Sequence, residues 1–503
     1  MELDFAAQSH FLVALAPEIV LCVFGMVVLV ASVWRNEEGE GRPGPDDLGA
    51  LSLVGILLAA GANGWLYGVT QVGGDGTIVV DRFRLFANWI FLLAGALSIL
   101  ISLAYVSRQR LQSGETYSLM LFAVVGMMIM GATWDLIIIF LGLEIMSIAV
   151  YALAAMNRRD RKSAEAGLKY FLLGAFSTGF FLFGIALLFG ATGSTNVGAI
   201  AEAVLEGSTV PPLLLFGVAF LAIGFGFKVG AVPFHMWTPD VYEGAPAPIT
   251  AFMATGVKAA AFLAFLRVFM VAFDAIYESW YPILWWLAAI TMVVANLIAL
   301  VQANVKRMLA YSSIAHGGYL LVALVAANET ASAAMLFYLL VYTLMNIGAF
   351  AIVISVAHQG EERLQIEDYA GFGWQQPLLA VFLTIFLLSL AGFPGTGGFM
   401  GKIFLLQGAV DSELWSLAIV LVMATLVSYW YYLRVAWYMW MREAPSEDAH
   451  TSVVAPIPMR VALLVSVGLI LFLGVFPGPL LGFVEASIDS MATLGGAMVG
   501  LVP

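Results

Sequence analysis

The sequence is poor in cysteine and in charged residues. Its 503 residues include a single cysteine, Cys22, which excludes a disulfide framework, a cysteine-based metal site and an iron–sulfur cluster. Charged residues make up 11% of the chain and hydrophobic residues 62%, whereas a soluble domain has about a quarter charged and about half apolar residues. The net charge of −12 excludes a nucleic-acid role. We predict a membrane protein with many spans.

Signals of cofactor binding and of secretion are also missing. No glycine-rich phosphate loop or dinucleotide fingerprint is present. Residues 1–8 hold Glu2 and Asp4 and no basic residue, unlike a secretory signal. We expect this chain to bind no cofactor, so that any cofactor chemistry takes place on another polypeptide.

Long apolar segments dominate the chain. A membrane-spanning helix needs about 20 mostly apolar residues, and this rule predicts fourteen spans and an all-α polytopic fold. The boundary between the fourth and fifth spans rests only on 131–135. The predicted spans, numbered 1 to 14, are 11–34, 47–69, 86–106, 116–132, 134–155, 167–191, 212–235, 249–273, 281–301, 308–327, 332–357, 377–411 (interrupted), 414–440 and 459–485.

Lysine and arginine in the loops predict the orientation, because cytoplasmic loops carry an excess of them. The loops after odd-numbered spans 1, 3, 5, 9, 11 and 13 hold thirteen such residues, and the opposite loops hold only Arg82 and Arg84. Both termini are therefore expected on the non-cytoplasmic side of a bacterial cytoplasmic membrane. The thirteen are Arg35, Arg42, Arg108, Arg110, Arg158, Arg159, Arg161, Lys162, Lys306, Arg307, Arg363, Arg442 and Arg460.

Two lysines lie deep inside predicted spans 7 and 8. Lys228 precedes a helix break at Pro233. Lys258 lies ten residues after the turn that follows this break, or about 15 Å along the next span at 1.5 Å per residue. A cation at this depth costs at least about 2.5–3.5 kcal/mol, so such residues indicate a functional site. We expect the two lysines to face one another across a hydrated channel. The alternative is two independent structural lysines bonded to backbone carbonyls.

Three other basic residues lie within spans but nearer their ends. These are Lys169, Arg267 and Arg434. For each, we expect the charged group to reach the membrane interface along its flexible side chain.

Glu144 lies ten residues into predicted span 5, among apolar neighbours. One interpretation is a neutral glutamic acid hydrogen-bonded to a neighbouring helix. The other pairs it with a lysine. A close pair stabilises both charged forms, so separating the partners changes their proton affinity. Proton-coupled switching needs such a change.

Predicted span 12 contains a second break. Glycines and Pro394 interrupt it between Gly392 and Gly398, and Lys402 follows. Broken helices at membrane depth are tolerated where they line a cavity or are buried in protein. Because the breaks are five spans apart, we predict two inverted five-helix repeats, spans 4–8 and 9–13. The predicted units are 1–110, 111–275, 276–440 and 441–503.

The histidines, two carboxylates and an aromatic group complete the candidate set. His316 lies beside two glycines in span 10, at about the position in the second repeat that Glu144 has in the first. A neutral imidazole accepts a proton on one nitrogen and donates one from the other, so we favour a relay. His235 either relays protons or holds the broken ends of span 7 together. Asp240 and Glu243 in the turn are expected to cap a helix or to form contacts with partners. The aromatic group Trp430–Tyr432 is expected to pack span 13 or to lie in the aromatic belt at the membrane interface.

Three stretches carry a family resemblance. VPFHMWTPDVYEGAPAP (232–248), NVKRMLAYSSIAHGGYLLVAL (304–324) and SLAGFPGTGGFMGK (389–402) resemble the signature stretches of antiporter-like subunits of bacterial NADH:quinone oxidoreductase, or respiratory complex I, and of its subunit N in particular. The resemblance covers roughly residues 85–480. Lys402, the turn YEGAPAP and the short segment after span 14 favour subunit N over its paralogues.

The resemblance implies a proton-translocating subunit of that enzyme, a translocase. It also implies fourteen helices with broken helices 7 and 12, and paralogous membrane-arm subunits and lipids as partners. FMN, iron–sulfur clusters and quinone would belong to other subunits of the complex. The family's relay positions fall on Glu144, Lys228, Lys258, His316 and Lys402.

Two other functional hypotheses stay open. One is a subunit of an Mrp-type sodium/proton antiporter. The other is a passive scaffold, in which the buried polar residues serve only assembly.

Overall fold

The computed structural model is helical almost throughout. It describes residues 2–4, 8–33, 44–72, 77–109, 111, 113–207, 209–356, 363–444, 450, 453 and 455–498. Arg35, Arg42 and Arg110, which contribute to the predicted orientation, lie outside the described residues.

The helices and strands follow one another in this order. The first part of the chain contains β1 (Glu2–Asp4), α1 (Gln8–Ala14), α2 (Ala16–Val33), α3 (Pro45–Leu66), β2 (Thr70–Val72), α4 (Arg82–Arg108), α5 (Ser113–Gly131) and α6 (Leu136–Ala154). The middle part contains α7 (Arg161–Thr192), α8 (Val197–Glu206), α9 (Pro212–Val229), α10 (Trp237–Gly244), α11 (Ala247–Phe252), a π-helical turn (Met253–Val257), α12 (Lys258–Ala272), a 3₁₀ turn (Asp274–Ile276), α13 (Tyr277–Leu300) and α14 (Val305–Ala326). The last part contains α15 (Glu329–Val356), a 3₁₀ turn (Ile366–Tyr369), α16 (Phe372–Gln375), α17 (Pro377–Ala391), α18 (Gly397–Asp411), α19 (Trp415–Met441), α20 (Ile457–Val475) and α21 (Gly478–Met498).

The helices confirm the predicted polytopic fold. Among the described residues, thirteen helices are long and apolar enough to cross a membrane. The predicted span over 377–411 is the remaining one, and it is divided into α17 and α18. The uncertain boundary at 131–135 separates two helices, because the Asp135 side chain accepts from the Ile137 amide at 2.8 Å and starts α6.

Several elements were not predicted. The parallel strands β1 and β2 pair near the amino terminus, and α8 fills part of the connection between spans 6 and 7. Predicted span 14 (459–485) ends earlier than expected, because α20 stops at Val475 and a separate helix, α21, begins at Gly478 and packs against α4 and α15. Three-residue strands and a short helix carry too weak a pattern to stand out beside long apolar segments.

The backbone shows a repeated arrangement. The residue before α6 forms an antiparallel bridge with the loop after α7, Asp135 to Asn196, and the residue before α14 forms one with the loop after α15, Asn304 to Gln365. Asp135 and Asn304 also cap the helices that follow them. Equal counting from the two caps pairs His316 with Ser147, one helical turn from Glu144, which lies near the approximate correspondence expected from the sequence.

Both helix breaks share one geometry. Gly230 after α9 and Gly392 after α17 have φ values of 73° and 89°, a conformation that favours glycine. In each case the glycine amide bonds back to the carbonyl three residues earlier, at 3.1 Å, and the next amide bonds to the carbonyl five residues earlier. This is a Schellman ending, and it leaves the last turn of α9 and of α17 beside irregular backbone.

Arg267 does not reach the interface, so this expectation is wrong. Its guanidinium is fully buried and donates to both carboxylate oxygens of Asp81, at 2.9 and 2.7 Å. Arg84 is also fully buried and donates to Glu18 at 2.8 Å. A carboxylate within reach lets an arginine stay buried, and Asp81 is too distant in sequence to be recognised as that partner.

Candidate functional site

Helix α14 forms the centre of the site. All of its residues from 308 to 326 are buried, and so are residues 247–269, which include Lys258. Ser313, His316 and Tyr319 project from α14 towards different neighbouring helices. The helix therefore connects side chains from both halves of the chain.

Lys228 lies at the end of α9, two residues before Gly230, and is 3% exposed. Its ammonium donates to the Ser147 hydroxyl at 2.7 Å and to the Tyr151 hydroxyl at 3.0 Å, both on α6. It also lies 5.3 Å from the centre of the Tyr151 ring. Hydroxyls and an aromatic face thus replace water around this cation.

Glu144 lies on α6, one helical turn before Ser147. Its Oε1 is buried and has no hydrogen-bond partner among the described residues. No salt bridge joins it to Lys228 in the described part of the chain. The predicted ion pair is therefore not formed in this structure, because the ammonium is directed at Ser147.

Lys258 follows the π-helical turn Met253–Val257 and is 2% exposed. Its ammonium donates to both the backbone oxygen and the hydroxyl of Ser313, at 2.6 Å each. Part of the structural alternative therefore holds, because Lys258 does bond a backbone carbonyl. Lys228 and Lys258 do not share a hydrogen-bond partner among the described residues.

Gly317 brings the two lysine sites close together. A Cβ atom at this position would lie 3.3 Å from the Val229 oxygen and 3.8 Å from the Lys258 ammonium nitrogen. Since Val229 directly follows Lys228, the bare backbone of Gly317 lies between the two sites. A side chain here would separate α14 from both of them.

His316 has a hydrogen-bond partner on each ring nitrogen. Nδ1 lies 2.7 Å from the Tyr338 hydroxyl on α15, and Nε2 lies 3.1 Å from the Tyr432 hydroxyl on α19. The imidazole is fully buried. Its two ring nitrogens therefore connect hydroxyls of two different helices, α15 and α19.

Lys402 lies on α18 and turns back onto the break. Its ammonium donates to the oxygens of Leu390 and Ala391, at 3.0 Å each, and lies 4.8 Å from the centre of the Tyr319 ring. These are carbonyls that the end of α17 leaves without intrahelical partners. Lys402 thus follows its break and caps it, whereas Lys228 precedes its own break.

Asp240 and Glu243 on α10 form ion pairs, in line with the expected partner contacts. Arg307 bonds both carboxylates at 2.9 Å, Lys169 bonds Asp240 at 2.8 Å and Lys162 bonds Glu243 at 3.0 Å. Burial raises the pKa of both carboxyls, but the hydrogen bonds from these cations outweigh it and hold each pKa below its usual value. The ion pairs tie α10 to α7 and α14.

His235 stays outside this line of groups. It lies between α9 and α10, and its Nδ1 is buried without a partner in the described part of the chain. The break in span 7 is instead closed by Trp237, whose indole donates to the Phe227 oxygen at 3.1 Å.

Comparison with known proteins identifies the family. The family model described as NADH:quinone oxidoreductase/Mrp antiporter, TM, matches residues 133–428. NADH-quinone oxidoreductase subunit N from Trichlorobacter lovleyi is 48% identical, over 96% of this chain and 98% of that protein. The chain belongs to the NADH-quinone oxidoreductase subunit N family. The subunit N from Chloroflexus aggregans is 43% identical over 96% of this chain and 97% of its own length.

Solved structures agree with this family. A chain of respiratory complex I from Thermus thermophilus is 33% identical, with a TM-score of 0.78 over 93% of this chain and 99% of its own length. A chain of the Mrp complex from Dietzia sp. DQ12-45-1b has a TM-score of 0.82 over 97% of this chain and 99% of its own length, at 20% identity. The second likeness shows a shared antiporter-like fold.

Sequence reasoning missed the hydroxyl groups around the predicted relay residues. They are Ser147, Tyr151, Ser312, Ser313, Tyr338 and Tyr432. Of the expected aromatic group, Trp430 is exposed while Tyr431 and Tyr432 are buried and hydrogen-bonded. A tyrosine in an apolar helix gives no signal of its own, because its ring packs as well as that of phenylalanine.

Proposed function

We propose that this chain carries protons through the membrane arm of an NADH-quinone oxidoreductase, driven by quinone reduction on other subunits. The side chains of Lys228, Lys258, His316 and Lys402 lie in the membrane-spanning part with little or no exposure. Keeping such groups away from water is costly, so ionisable groups that are retained at this depth indicate a functional site such as a proton relay.

The contact of α14 with both halves supports this proposal most directly. Lys258 is held by Ser313, His316 follows on the same helix, and Gly317 borders both Lys258 and Val229. A proton on Lys258 therefore has titratable or hydroxyl groups within reach on either side. Lys402 would be the terminal loading site.

Glu144 and Lys228 would act as a switch at the other end. In the structure Lys228 is bonded to Ser147 and Tyr151, while one oxygen of Glu144 has no described partner. Since Glu144 and Ser147 are one turn apart on α6, a short movement of the ammonium would form the ion pair. Closing it favours the charged forms of both groups, and opening it releases a proton.

We further propose the orientation and partners that the loops and the family suggest. The basic loops would face the cytoplasm and both termini the opposite side. The chain would contact paralogous membrane-arm subunits and lipid, and FMN, iron–sulfur clusters and quinone would be held elsewhere in the complex.

The test replaces Lys228 by alanine in the assembled complex. We expect proton uptake into proteoliposomes and coupled NADH–quinone turnover to fall, while NADH oxidation by an artificial acceptor stays intact. Arg159→Ala is the matched control, because Arg159 is exposed and lies outside the site. Normal coupled pumping by an assembled Lys228→Ala complex would reject the assignment.

The Mrp-type alternative is less well supported. The likeness to the Mrp chain is at 20% identity and shows the fold alone, whereas the subunit N relatives match at 43–48%. Purification with flavin-containing subunits would favour the oxidoreductase. Sodium-dependent transport by the complex without NADH would favour the antiporter.

A further inference from the structure

Three hydroxyl groups continue the line of polar contacts on both sides of His316. Ser312 and Tyr432 hydrogen-bond to each other, the Tyr432 hydroxyl reaches His316 Nε2 at 3.1 Å, and Tyr338 reaches Nδ1 at 2.7 Å. Ser312, His316 and Tyr338 are fully buried and Tyr432 is 1% exposed. None of the family motifs singled out from the sequence contains either tyrosine.

The two ends of this chain of contacts lie next to the two lysines. Ser312 is adjacent in sequence to Ser313, which holds the Lys258 ammonium. The ring of Tyr338 packs against Gly401, which directly precedes Lys402. The order along the site is Lys258, Ser313, Ser312, Tyr432, His316, Tyr338 and Lys402, in which Ser313 and Ser312 are neighbours in sequence and Tyr338 approaches Lys402 through the contact of its ring with Gly401.

We propose that the hydroxyls of Tyr432 and Tyr338 are proton-relay groups, which join His316 to Lys258 on one side and to Lys402 on the other. This inference rests on the proposed function. It assigns the relay between the two lysines to named protein hydroxyls in addition to the imidazole.

The chemistry balances without an ionised tyrosine. A neutral imidazole carries one N–H, so one ring nitrogen donates and the other accepts. When the Tyr432 hydroxyl gives its proton to Nε2, it takes one from Ser312, and Ser312 takes one in turn from the side of Lys258. At the same time the Nδ1 proton passes to the Tyr338 oxygen, and the proton that Tyr338 held goes to Lys402. One proton enters and one leaves, and His316 ends in the other tautomer.

This mechanism also requires a reset. After one transfer every hydrogen bond in the series points the other way, so the hydroxyls and the imidazole must reorient before the next proton moves. Tyrosine hydroxyls reorient by rotating about a single bond, without moving the packed ring. A phenylalanine ring fills the same space but cannot take part.

The contacts exclude a purely apolar role for these tyrosines. Each hydroxyl is buried and reaches the imidazole. This hydrogen bond avoids the cost of about 1–3 kcal/mol that a hydroxyl buried without a partner would carry. The Tyr432 ring also packs on Tyr431, with ring centres 4.4 Å apart. Tyr431 donates to Asn296 at 3.0 Å, and Asn296 donates to Tyr319, whose ring lies under the Lys402 ammonium.

The experiment uses Tyr432→Phe and Tyr338→Phe in the assembled complex in proteoliposomes. We expect each to lower proton uptake per NADH oxidised and the coupled rate, by about a hundredfold for the rate, which is the lower end of a positioned acid–base contribution. Blue-native gels should show normal assembly, since ring packing is retained. Tyr277→Phe is the control, because it removes a hydroxyl that bonds the Val325 oxygen at the far end of α14.

A double-variant cycle separates relay from packing. Groups that act in one relay give strongly non-additive losses, so adding Tyr432→Phe to His316→Ala should change the rate by less than about twofold. Additive losses, or a Tyr432→Phe complex that pumps like the Tyr277→Phe control, would overturn the inference. If Lys228→Ala and Lys258→Met complexes also pump normally, the proposed function fails as well; if those two are inactive, only the tyrosine assignment is lost.

Discussion

The Lys228 ammonium lies 2.7 Å from the Ser147 hydroxyl, one helical turn from Glu144. The Lys228 ammonium is thus hydrogen-bonded to a neutral hydroxyl, and one carboxylate oxygen of Glu144 has no hydrogen-bond partner among the described residues. It represents the open form of the proposed switch. Closing it requires the ammonium to exchange Ser147 for Glu144.

Replacing Ser147 by alanine tests this switch. The ammonium would lose its closer hydroxyl acceptor and be biased towards Glu144, so opening would become more costly. A hydrogen bond to a charged group contributes about 1.5–3 kcal/mol, and we expect coupled proton uptake to fall by at least about tenfold. The control is Ser118→Ala, because Ser118 is also buried and its hydroxyl donates to the Gly25 oxygen on α2. Equal rates in the two variants would show that Ser147 does not control Lys228.

A methyl group at Gly317 is expected to disturb both lysine sites. The Cβ of Gly317→Ala would lie 3.3 Å from the Val229 oxygen, closer than ordinary van der Waals contact, so α14 would have to shift. Coupled turnover should decrease while assembly stays near normal. Gly61→Ala is the matched control within a helix, since a Cβ there meets nothing within 4 Å. Turnover unchanged in both variants would contradict the close contact of α14 with the lysine sites.

The buried pair of Arg267 and Asp81 should govern assembly. Removing one partner of a buried ion pair costs about 3–5 kcal/mol, because the other charge stays buried and unpaired. We expect Asp81→Asn to reduce the amount of assembled complex on blue-native gels. Pumping per assembled complex should stay unchanged. A variant that assembles fully but pumps poorly would place Asp81 in the proton path instead.

The ion pairs of α10 predict a dependence of stability on pH. The pKa values of Asp240 and Glu243 are held below their usual values, so their contribution to stability is complete above the unfolded-state value of about 4. It is lost as the pH falls through the lower folded-state values.

Thermal unfolding of the purified complex checks this dependence. Asp240→Asn should lower the Tm at pH 7 slightly, because partly exposed ion pairs contribute about 0.2–1 kcal/mol each. The difference from the unchanged chain should shrink below pH 4. A difference that grows on acidification would contradict this account.

The sequence was sufficient to predict the helical fold. It also singles out candidate relay residues, but it does not predict the side chains that contact them. Long apolar segments and glycine-rich breaks predict spans locally, and a buried lysine such as Lys258 is conspicuous by its cost. Ser313 and Tyr432 hold Lys258 and His316 through contacts between distant helices, and nothing in their own sequence surroundings predicts these contacts. For the same reason Arg267 was expected at the interface, although Asp81 keeps it buried.

Proton uptake by proteoliposomes containing the assembled Lys258→Met complex tests the central claim most directly. Methionine retains most of the side chain's length and removes the ammonium that Ser313 holds. We predict that uptake driven by NADH oxidation falls sharply, while the Arg159→Ala control pumps normally and both complexes oxidise NADH with an artificial acceptor. Normal proton uptake per NADH oxidised by the Lys258→Met complex would contradict a relay through this lysine.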